Sequence, residues 1–417
     1  MYNTYFWLIV SILILSHMLG VYLDIINGRM WSDIVPPKLK DIIDHDRYRI
    51  SQNYYRDNRR VSNIAATINL GAVLLILSLG GFAWLDSLVR SFVDKEVFIT
   101  VFFFALIGLS SDLAHLPFKW YGTFVIEEKY GFNKTSTRTF IADHIKTWLL
   151  SLAIGGPLLM LIAWIFNETG EFFWILIWIV ITLFSLFMNL FYSELIVPLF
   201  NRQKLLEEGE LRDKIERIAT SAGFKLSNIY TIDGSKRSTR ANAYFSGLGR
   251  KKRIVLYDTL ANDLTDNEIT AVLSHEMGHY KRKHNLIFLA AGILQTGLML
   301  YIFSLLSGNT GLTYALGGTT PSFHLSLLAF VLVYSPVSFV LSIIMNYISR
   351  RHEYEADKFA AAIYSAEELA SALKKLSLKN LSNLNPHPRF VFFYYSHPPL
   401  LQRLKVLEGS QARESGA

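Results

Sequence analysis

The 417-residue sequence contains no cysteine. This absence excludes disulfide bonds, thiolate metal ligands and a cysteine nucleophile together. The sequence also has no evident internal repeat or low-complexity segment. Basic and aromatic residues are not arranged as they are in nucleic-acid-binding sites, so we expect no nucleic-acid partner.

The first apolar run lacks the marks of a cleaved signal peptide. It starts close to the N-terminus, but no basic segment precedes it and no small-residue cleavage pattern follows it. We therefore expect this run to be retained as a membrane span.

Apolar residues are abundant and make up 51% of the chain, with 14% aromatic residues. They are concentrated in long runs, and a helix needs about 20 such residues to cross the hydrocarbon core of a bilayer. The sequence therefore predicts a multi-pass protein in contact with the lipid bilayer. The predicted spans are 5–24, 64–86, 97–117, 147–166, 172–199, 285–307 and 323–346.

Basic residues are concentrated in particular connections between these spans, and the net charge is +7. The first and third connections, 25–62 and 118–146, are rich in lysine and arginine, whereas the fourth and sixth have no basic residue. The positive-inside rule then predicts an N-terminus outside and cytosolic loops one, three and five, with a cytosolic C-terminal part. The membrane would be the plasma membrane of a bacterium or the endoplasmic reticulum of a eukaryote.

The most informative motif is H-E-x-x-H, formed by His275, Glu276 and His279. Residues four apart lie on one helix face, so the two imidazoles can share a Zn²⁺ ion. Glu276 falls beside the metal, where it can take a proton from water. A chance match is the alternative, but Thr265 and Glu268 form a capping-box pattern that predicts a helix start just before the motif.

The segment 201–284, which contains this motif, is predicted to form a soluble domain. A charged amphipathic pattern over 201–224 predicts a helix ending near Gly223, and three strands are predicted from NIYTI, ANAYFSGL and RIVLYDTL. A small sheet followed by a metal-binding helix is typical of a zinc peptidase, in which an edge strand can pair with an extended substrate.

A third protein ligand is expected after the seventh span, within SRRHEYEADKFAAAIY. His352, Glu353 and Glu355 are the candidates. Only one of the two glutamates can face the metal, because residues two apart on a helix are separated by about 200°. Spacing alone leaves the choice open. Asp357 lies one turn beyond Glu353, where its carboxylate could orient a histidine ligand.

Several segments together resemble the integral-membrane type I CAAX prenyl endopeptidases, a family of gluzincin metalloproteases. The matching segments are HEMGH, EYEAD, EEKYGFNKTSTRTF, PLFN, SKRSTRANAYF, RIVLYDTL and SHPPLLQRL. The resemblance covers nearly the whole chain. It implies an all-α membrane part of seven transmembrane helices forming a chamber, with a cytosolic α+β zincin-like peptidase domain.

The resemblance also implies a site with one zinc ion per chain. The ligands would be His275, His279 and Glu353, with Glu276 as general base and Asp357 hydrogen-bonded behind a ligand.

Further roles are implied for residues outside the two motif helices. Asn242 and Ala243 would hold the substrate backbone, His397 would hydrogen-bond the developing oxyanion, and Arg403 would help to shape the site. The predicted parts of the chain are a five-span membrane domain (1–200), the zincin-like domain (201–284), spans six and seven (285–346) and a C-terminal helical part of the peptidase (347–417).

The predicted function is a membrane zinc metalloendopeptidase that removes C-terminal residues from prenylated CAAX-type proteins. One alternative keeps the chemistry but clears damaged membrane proteins as a general quality-control protease. A second alternative is a non-catalytic seven-span transporter or receptor with a relict motif, which the completeness of the motif set disfavours.

Overall fold

The computed structural model describes residues 2–223, 228–246 and 253–414. Within these residues the chain forms seventeen α-helices and one four-stranded sheet. The helices of the first half are α1 (Thr4–Gly28), α2 (His45–Ser78), α3 (Gly81–Arg90), α4 (Glu96–Tyr121), α5 (Thr137–Leu150), α6 (Gly156–Glu168), α7 (Phe173–Leu195) and α8 (Val197–Phe200).

The second half alternates strands and helices before returning to long helices. Its elements are β1 (Gln203–Leu205), α9 (Glu210–Ser221), β2 (Asn228–Ile232), β3 (Ala243–Ser246), β4 (Arg253–Tyr257), α10 (Asp258–Asp263), α11 (Asp266–Lys281), α12 (His284–Leu306), α13 (Thr310–Ala315), α14 (Phe323–Ile363), α15 (Ala366–Lys379), α16 (Pro388–Tyr394) and α17 (Leu400–Glu414).

Seven helical stretches in the described part of the chain are long and apolar enough to cross a membrane, which confirms the predicted number. Only 6 to 22% of the residues in their apolar windows are buried. Most of these apolar side chains therefore face surroundings outside the protein core, as membrane-spanning helices require. The stretches are Thr4–Gly28, His45–Ser78, Glu96–Glu127, Thr137–Glu168, Gly170–Phe200, His284–Leu306 and Phe323–Ile363.

The second span differs in its limits from the predicted 64–86. α2 begins at His45, because a helix can continue through arginine-rich residues that a hydropathy window rejects. It ends at Ser78, and Gly80 then adopts a left-handed conformation with φ of 67°. Glycine takes this conformation readily, so the chain turns there and α3 begins as a separate helix.

The spans share one apolar core at the end of the bundle remote from the H-E-x-x-H helix. It includes Phe6 of α1, Phe103 of α4, Phe303 of α12 and Phe330 of α14, all nearly fully buried. On α14 this core lies about 35 Å from residue 353, at about 1.5 Å per helical residue.

The sheet has the strand order β1-β2-β4-β3, so β3 lies at an edge of the sheet as described. β2 and β4 are parallel, and each outer strand is antiparallel to its neighbour. The prediction of one helix over 201–224 is wrong at its start: Gln203–Leu205 pairs with β2, and the helix begins only at Glu210. This strand depends on a partner distant in sequence, which a local helical pattern does not reveal.

α11 and α14 bring the motif residues together. α11 begins with the predicted capping box, in which Thr265 Oγ1 accepts a hydrogen bond from Glu268 N and Glu268 Oε2 accepts one from Thr265 N. Gly278 allows the two helices to approach closely, because a Cβ there would lie 3.0 Å from Ala356 Cα. α14 is 41 residues long and extends beyond the predicted span end at 346, so residues 352–357 lie against α11.

Candidate metal centre

The structure brings His275 and His279 of α11 together with Glu353 of α14. One ligand atom from each lies within 4.8 Å of the others. The two Nε2 atoms are 3.1 Å apart, and the Glu353 carboxylate lies 3.5 Å from His275 Nε2 and 3.2 Å from His279 Nε2. Of the three third-ligand candidates that spacing left open, Glu353 is the one that joins the two motif histidines.

The chemistry of these groups fits a metal cofactor. Two imidazole nitrogens and one carboxylate form a donor set that leaves a coordination position for water. Glu353 Oε2 is buried and accepts no hydrogen bond from the described residues, although Arg403 Nη1 lies 3.4 Å away. A bound cation would satisfy this oxygen, which otherwise remains a buried acceptor without a hydrogen bond.

His275 is oriented from behind by Asp357. Its Nδ1 lies 2.9 Å from Asp357 Oδ1, and a proton on Nδ1 at this carboxylate leaves the Nε2 lone pair for the metal centre. Burial and Arg403 lower the pKa of His275, but the nearby carboxylates of Asp357 and Glu353 outweigh both and raise this pKa to about 9.

Arg403 of α17 fixes Asp357 in turn. Its Nη2 donates to Asp357 Oδ1 at 2.6 Å and its Nε donates to Oδ2 at 2.9 Å, a bidentate pair. Asp357 is fully buried, and both carboxylate oxygens accept from the same guanidinium. Arg403 therefore contacts the residue behind His275, and its role in shaping the site stays a prediction.

A cavity of about 380 Å³ opens beside the three ligand candidates. Glu276 is half-buried and lines it, close to His275 and His279. The other predicted site residues Asn242, Ala243, His397 and Arg403 line the same cavity, whereas Asp357 lies behind His275.

His397 reaches the ligands from the segment between α16 and α17. Its Nε2 lies 3.3 Å from Glu353 Oε1, and its side chain is 67% exposed. Ser396 Oγ lies 3.0 Å from its Nδ1. If the Ser396 hydroxyl donates to Nδ1, Nε2 carries the proton and is a donor directed into the site.

The edge strand β3 borders the cavity through its first residue, Ala243, and through Asn242 just before it. The Asn242 carbonyl accepts a hydrogen bond from Tyr257 N at 3.1 Å, which joins the strand entrance to β4. Arg240 anchors the chain just before it, since Nη2 donates to Glu127 Oε1 at 2.8 Å and the guanidinium lies 4.7 Å from the Phe132 ring centroid. Burial lowers the pKa of Arg240.

The apolar wall of this cavity was not predicted from the sequence. Leu369, Leu373 and Leu376 of α15 line one side, and Phe288 of α12 contributes a ring. The leucine spacing of four and three residues is the helical pattern that could have identified α15 as facing something apolar. It could not have shown that the apolar surface borders a reaction site.

Two family models match the chain in succession. The model described as CAAX prenyl protease N-terminal, five membrane helices, matches residues 25–202. The model of peptidase family M48 matches residues 205–411. These matches meet near the end of α8, where the membrane helices give way to the sheet.

Similar proteins extend over almost the whole chain. The CAAX prenyl protease 1 homolog of Oryza sativa is 34% identical over 415 residues, covering 97% of this chain and 98% of that protein. CAAX prenyl protease 1 of Saccharomyces cerevisiae is 36% identical over 401 residues, covering 90% and 88% respectively.

A solved structure is similar to this chain in both fold and sequence. The crystal structure of S. mikatae Ste24p superimposes with a TM-score of 0.91 and 34% identity, covering 97% of this chain and 99% of that one. The resemblance noted from the motifs is confirmed, which favours an enzyme over the transporter or receptor alternative. The chain belongs to peptidase family M48, and it is a multi-pass membrane metalloendopeptidase.

Proposed function

We propose that this protein is a zinc metalloendopeptidase that cleaves near the C-terminus of prenylated CAAX-type proteins. The observation that carries the proposal is the convergence of His275, His279 and Glu353 on one point beside Glu276. The names of the similar proteins, CAAX prenyl proteases from plants and yeast, support the substrate class.

Zn²⁺ is the proposed metal, with one ion per chain. Two imidazoles and one carboxylate, with no thiolate, match the ligands of hydrolytic zinc sites. When bound, the ion supplies Lewis-acid activation of water and of the scissile carbonyl. Asp357 and Arg403 keep the His275 ring in the orientation and tautomer that present Nε2 to the ion.

Glu276 is the proposed general base and acid. Its side chain lines the cavity beside the two proposed ligand histidines. It takes the proton of the attacking water and returns it to the leaving amine. His397 Nε2–H donates to the carbonyl oxygen as negative charge develops there.

The substrate backbone is proposed to pair with β3. An extended peptide can add to the edge of a sheet through main-chain hydrogen bonds, which hold it without reading every side chain. Asn242 and Ala243 line the cavity at the entrance of this strand, so they would contact the residues next to the scissile bond. The leucines of α15 offer an apolar surface opposite the polar ligands.

The peptidase part is proposed to be cytosolic. Two basic connections contact it directly: Arg47 Nη2 donates to Leu378 O at 3.0 Å, and Lys134 N donates to Arg237 O at 3.0 Å. Both connections are assigned to the cytosol by the positive-inside rule, so their contacts support the same side for the metal centre. In a eukaryotic cell the membrane would be the endoplasmic reticulum, and in a bacterium the plasma membrane.

The experiment that tests the substrate class uses two peptides of one sequence. The purified detergent-solubilised protein is incubated with a prenylated CAAX peptide and with its unprenylated twin, and Glu276→Gln is the inactive control. We expect faster cleavage of the prenylated peptide near its C-terminus. Equal cleavage of both peptides would contradict the proposal and favour a general quality-control protease.

A further inference from the structure

The two motif histidines differ in what lies behind them. His275 contacts a carboxylate directly through Nδ1, at Asp357. His279 has a second imidazole instead: its Nδ1 lies 3.0 Å from Nδ1 of His284, the first residue of α12. The nitrogen that faces the metal centre is Nε2 in both rings.

His284 in turn contacts a carboxylate. It is 1% exposed, and its Nε2 lies 3.2 Å from Glu355 Oε2. An ionised carboxylate only accepts hydrogen bonds, so the proton of the neutral His284 ring is on Nε2 and its Nδ1 is an acceptor. His279 must then donate its Nδ1–H, which leaves the lone pair on His279 Nε2 free for a metal ion.

The surrounding residues hold the His284 ring in place. The rings of His284 and His352 stack with centroids 3.8 Å apart and an interplanar angle of 3°. Phe288 packs edge-on against His352 at 5.3 Å. Lys283, just before His284, has a left-handed backbone with φ of 60°, which is uncommon for lysine and makes the sharp turn from α11 to α12. This turn places His284 against His279.

We propose that His284 and Glu355 are positioning residues for the metal ligand His279. The chain of hydrogen bonds from His279 through His284 to Glu355 fixes the tautomer and the ring orientation of His279. The inference rests on the proposed ligand role of His279. It also gives a function to Glu355 and His352, two third-ligand candidates that lie outside the ligand group.

The test measures metal affinity rather than activity. Zn²⁺ is titrated against a chelator into metal-free full-length protein in detergent, for the wild type and for His284→Ala, Glu355→Ala and Glu355→Gln. Glu367→Gln, a change at an exposed glutamate of the first turn of α15, is the matched control. The visible spectrum of the Co²⁺-loaded protein reports the ligand geometry independently.

We expect His284→Ala to weaken Zn²⁺ binding about 10- to 100-fold, the usual range for the loss of a group that orients a ligand. Glu355→Ala should weaken binding less and alter the Co²⁺ spectrum. Glu355→Gln should stay near wild type, because the amide oxygen still accepts from His284 Nε2–H. Glu367→Gln should not change either readout.

Wild-type affinity and an unchanged Co²⁺ spectrum in Glu355→Ala would overturn the inference, even if His284→Ala does not fold. Glu355 is the safer position because its side chain is 46% exposed. An equal loss of affinity in Glu355→Gln and Glu355→Ala would also overturn it, since a hydrogen-bond acceptor would then not be the requirement. His279→Ala separates the two proposals, because unchanged Zn²⁺ binding in that variant would contradict the proposed function itself.

Discussion

Two glutamates of α11, Glu268 near its N-terminal end and Glu276 further along, have different surroundings. At the N-terminal end, Glu268 is 2% exposed, and its oxygens accept hydrogen bonds from Ser371 Oγ at 2.6 Å and Lys375 Nζ at 2.8 Å, besides the capping bond from Thr265 N. About two turns later, Glu276 lines the cavity at the metal centre. The first carboxylate is saturated by the protein, whereas the second is available to a reactant.

This difference shows how one helix can be both rigid and reactive. Glu268 ties the start of α11 to α15, so the ligand histidines lie on a helix whose first turn is fixed. Glu268 contributes to the stability of the fold, whereas Glu276 is the proposed reacting group. Substitutions at the two ends should therefore separate activity from stability.

The largest effect is expected from Glu276→Gln. The amide keeps the shape of the side chain but cannot take a proton from water, so turnover of a cleaved peptide should fall about 10²- to 10⁴-fold. Zinc content and thermal unfolding should stay at wild-type values. Zinc analysis and a peptide-cleavage assay on one preparation check both, and wild-type turnover would disprove the proposed base.

The next largest effect is expected from Glu353→Ala. Removal of a ligand should weaken Zn²⁺ binding more than the roughly 10- to 100-fold expected for a group that only orients a ligand. Zinc content after gel filtration should fall far below one per chain. Under the same conditions Glu355→Ala should retain more zinc than Glu353→Ala, because Glu355 is proposed only to orient a ligand, and Glu367→Gln is the control that should retain the ion. The reverse pattern would reassign the third ligand.

His397→Ala should lower kcat by a smaller factor and should leave the metal bound. A single donor to a developing oxyanion contributes about 10²- to 10³-fold in kcat. Zn²⁺ affinity should be nearly unchanged, because the His397 side chain is mostly exposed and is not one of the three proposed ligands. A drop in zinc content that explains the whole loss of activity would argue for a role in metal binding instead.

Asn242→Ala is expected to lower kcat/KM about fivefold, since one neutral hydrogen bond contributes on the order of 1 kcal/mol. The effect should appear with prenylated and unprenylated peptides alike, because a backbone contact does not involve the prenyl group. Steady-state kinetics with both peptides measure it. An effect restricted to one peptide would contradict a backbone-holding role.

The smallest effect should appear at the other end of α11. Glu268→Gln should lower the free energy of unfolding by about 1.5–3 kcal/mol, the range for a hydrogen bond to a charged group, with unchanged activity per folded molecule. Although burial raises the pKa of Glu268, hydrogen bonds from Lys375, Ser371 and Thr265 outweigh it and lower this pKa below 4.5. Because the folded-state pKa lies below the unfolded one, this stabilisation is present above about pH 4.5 and is lost as the pH falls through the folded-state pKa.

This pH dependence can be checked by thermal unfolding in detergent. The midpoints of wild type and Glu268→Gln are measured from pH 7 down to the lowest pH at which the protein is folded. The difference between the two proteins should be greatest near neutral pH and should shrink below pH 4.5. A difference that grows toward acid would contradict the assignment.

Local patterns in the sequence predicted the features that depend only on composition and on helical geometry. The seven spans follow from composition, and the start of α11 follows from a capping box four residues long. Spacing on one helix placed His275, Glu276 and His279 together, because helical geometry alone fixes their relation. The proposed third ligand, Glu353, needed the family resemblance, since it comes from another helix.

Features that depend on tertiary contacts could not be predicted from local sequence patterns. β1 forms only because β2 lies beside it, and the α2–α3 break depends on the conformation of Gly80. His284 follows His279 by five residues, a spacing that places it on no shared helical face. Its contact with His279 exists because Lys283 adopts a left-handed conformation, and no periodic pattern encodes that turn.

α14 carries Glu353 on the same uninterrupted helix that crosses the membrane. Pro336 lies within the apolar part of this helix, and the segment from there to Glu353 spans about 25 Å at 1.5 Å per residue. A change in helix tilt around this proline would therefore move the carboxylate relative to the two imidazoles of α11. A bilayer that changed the tilt of this long span would thus also act on the geometry of the proposed metal centre.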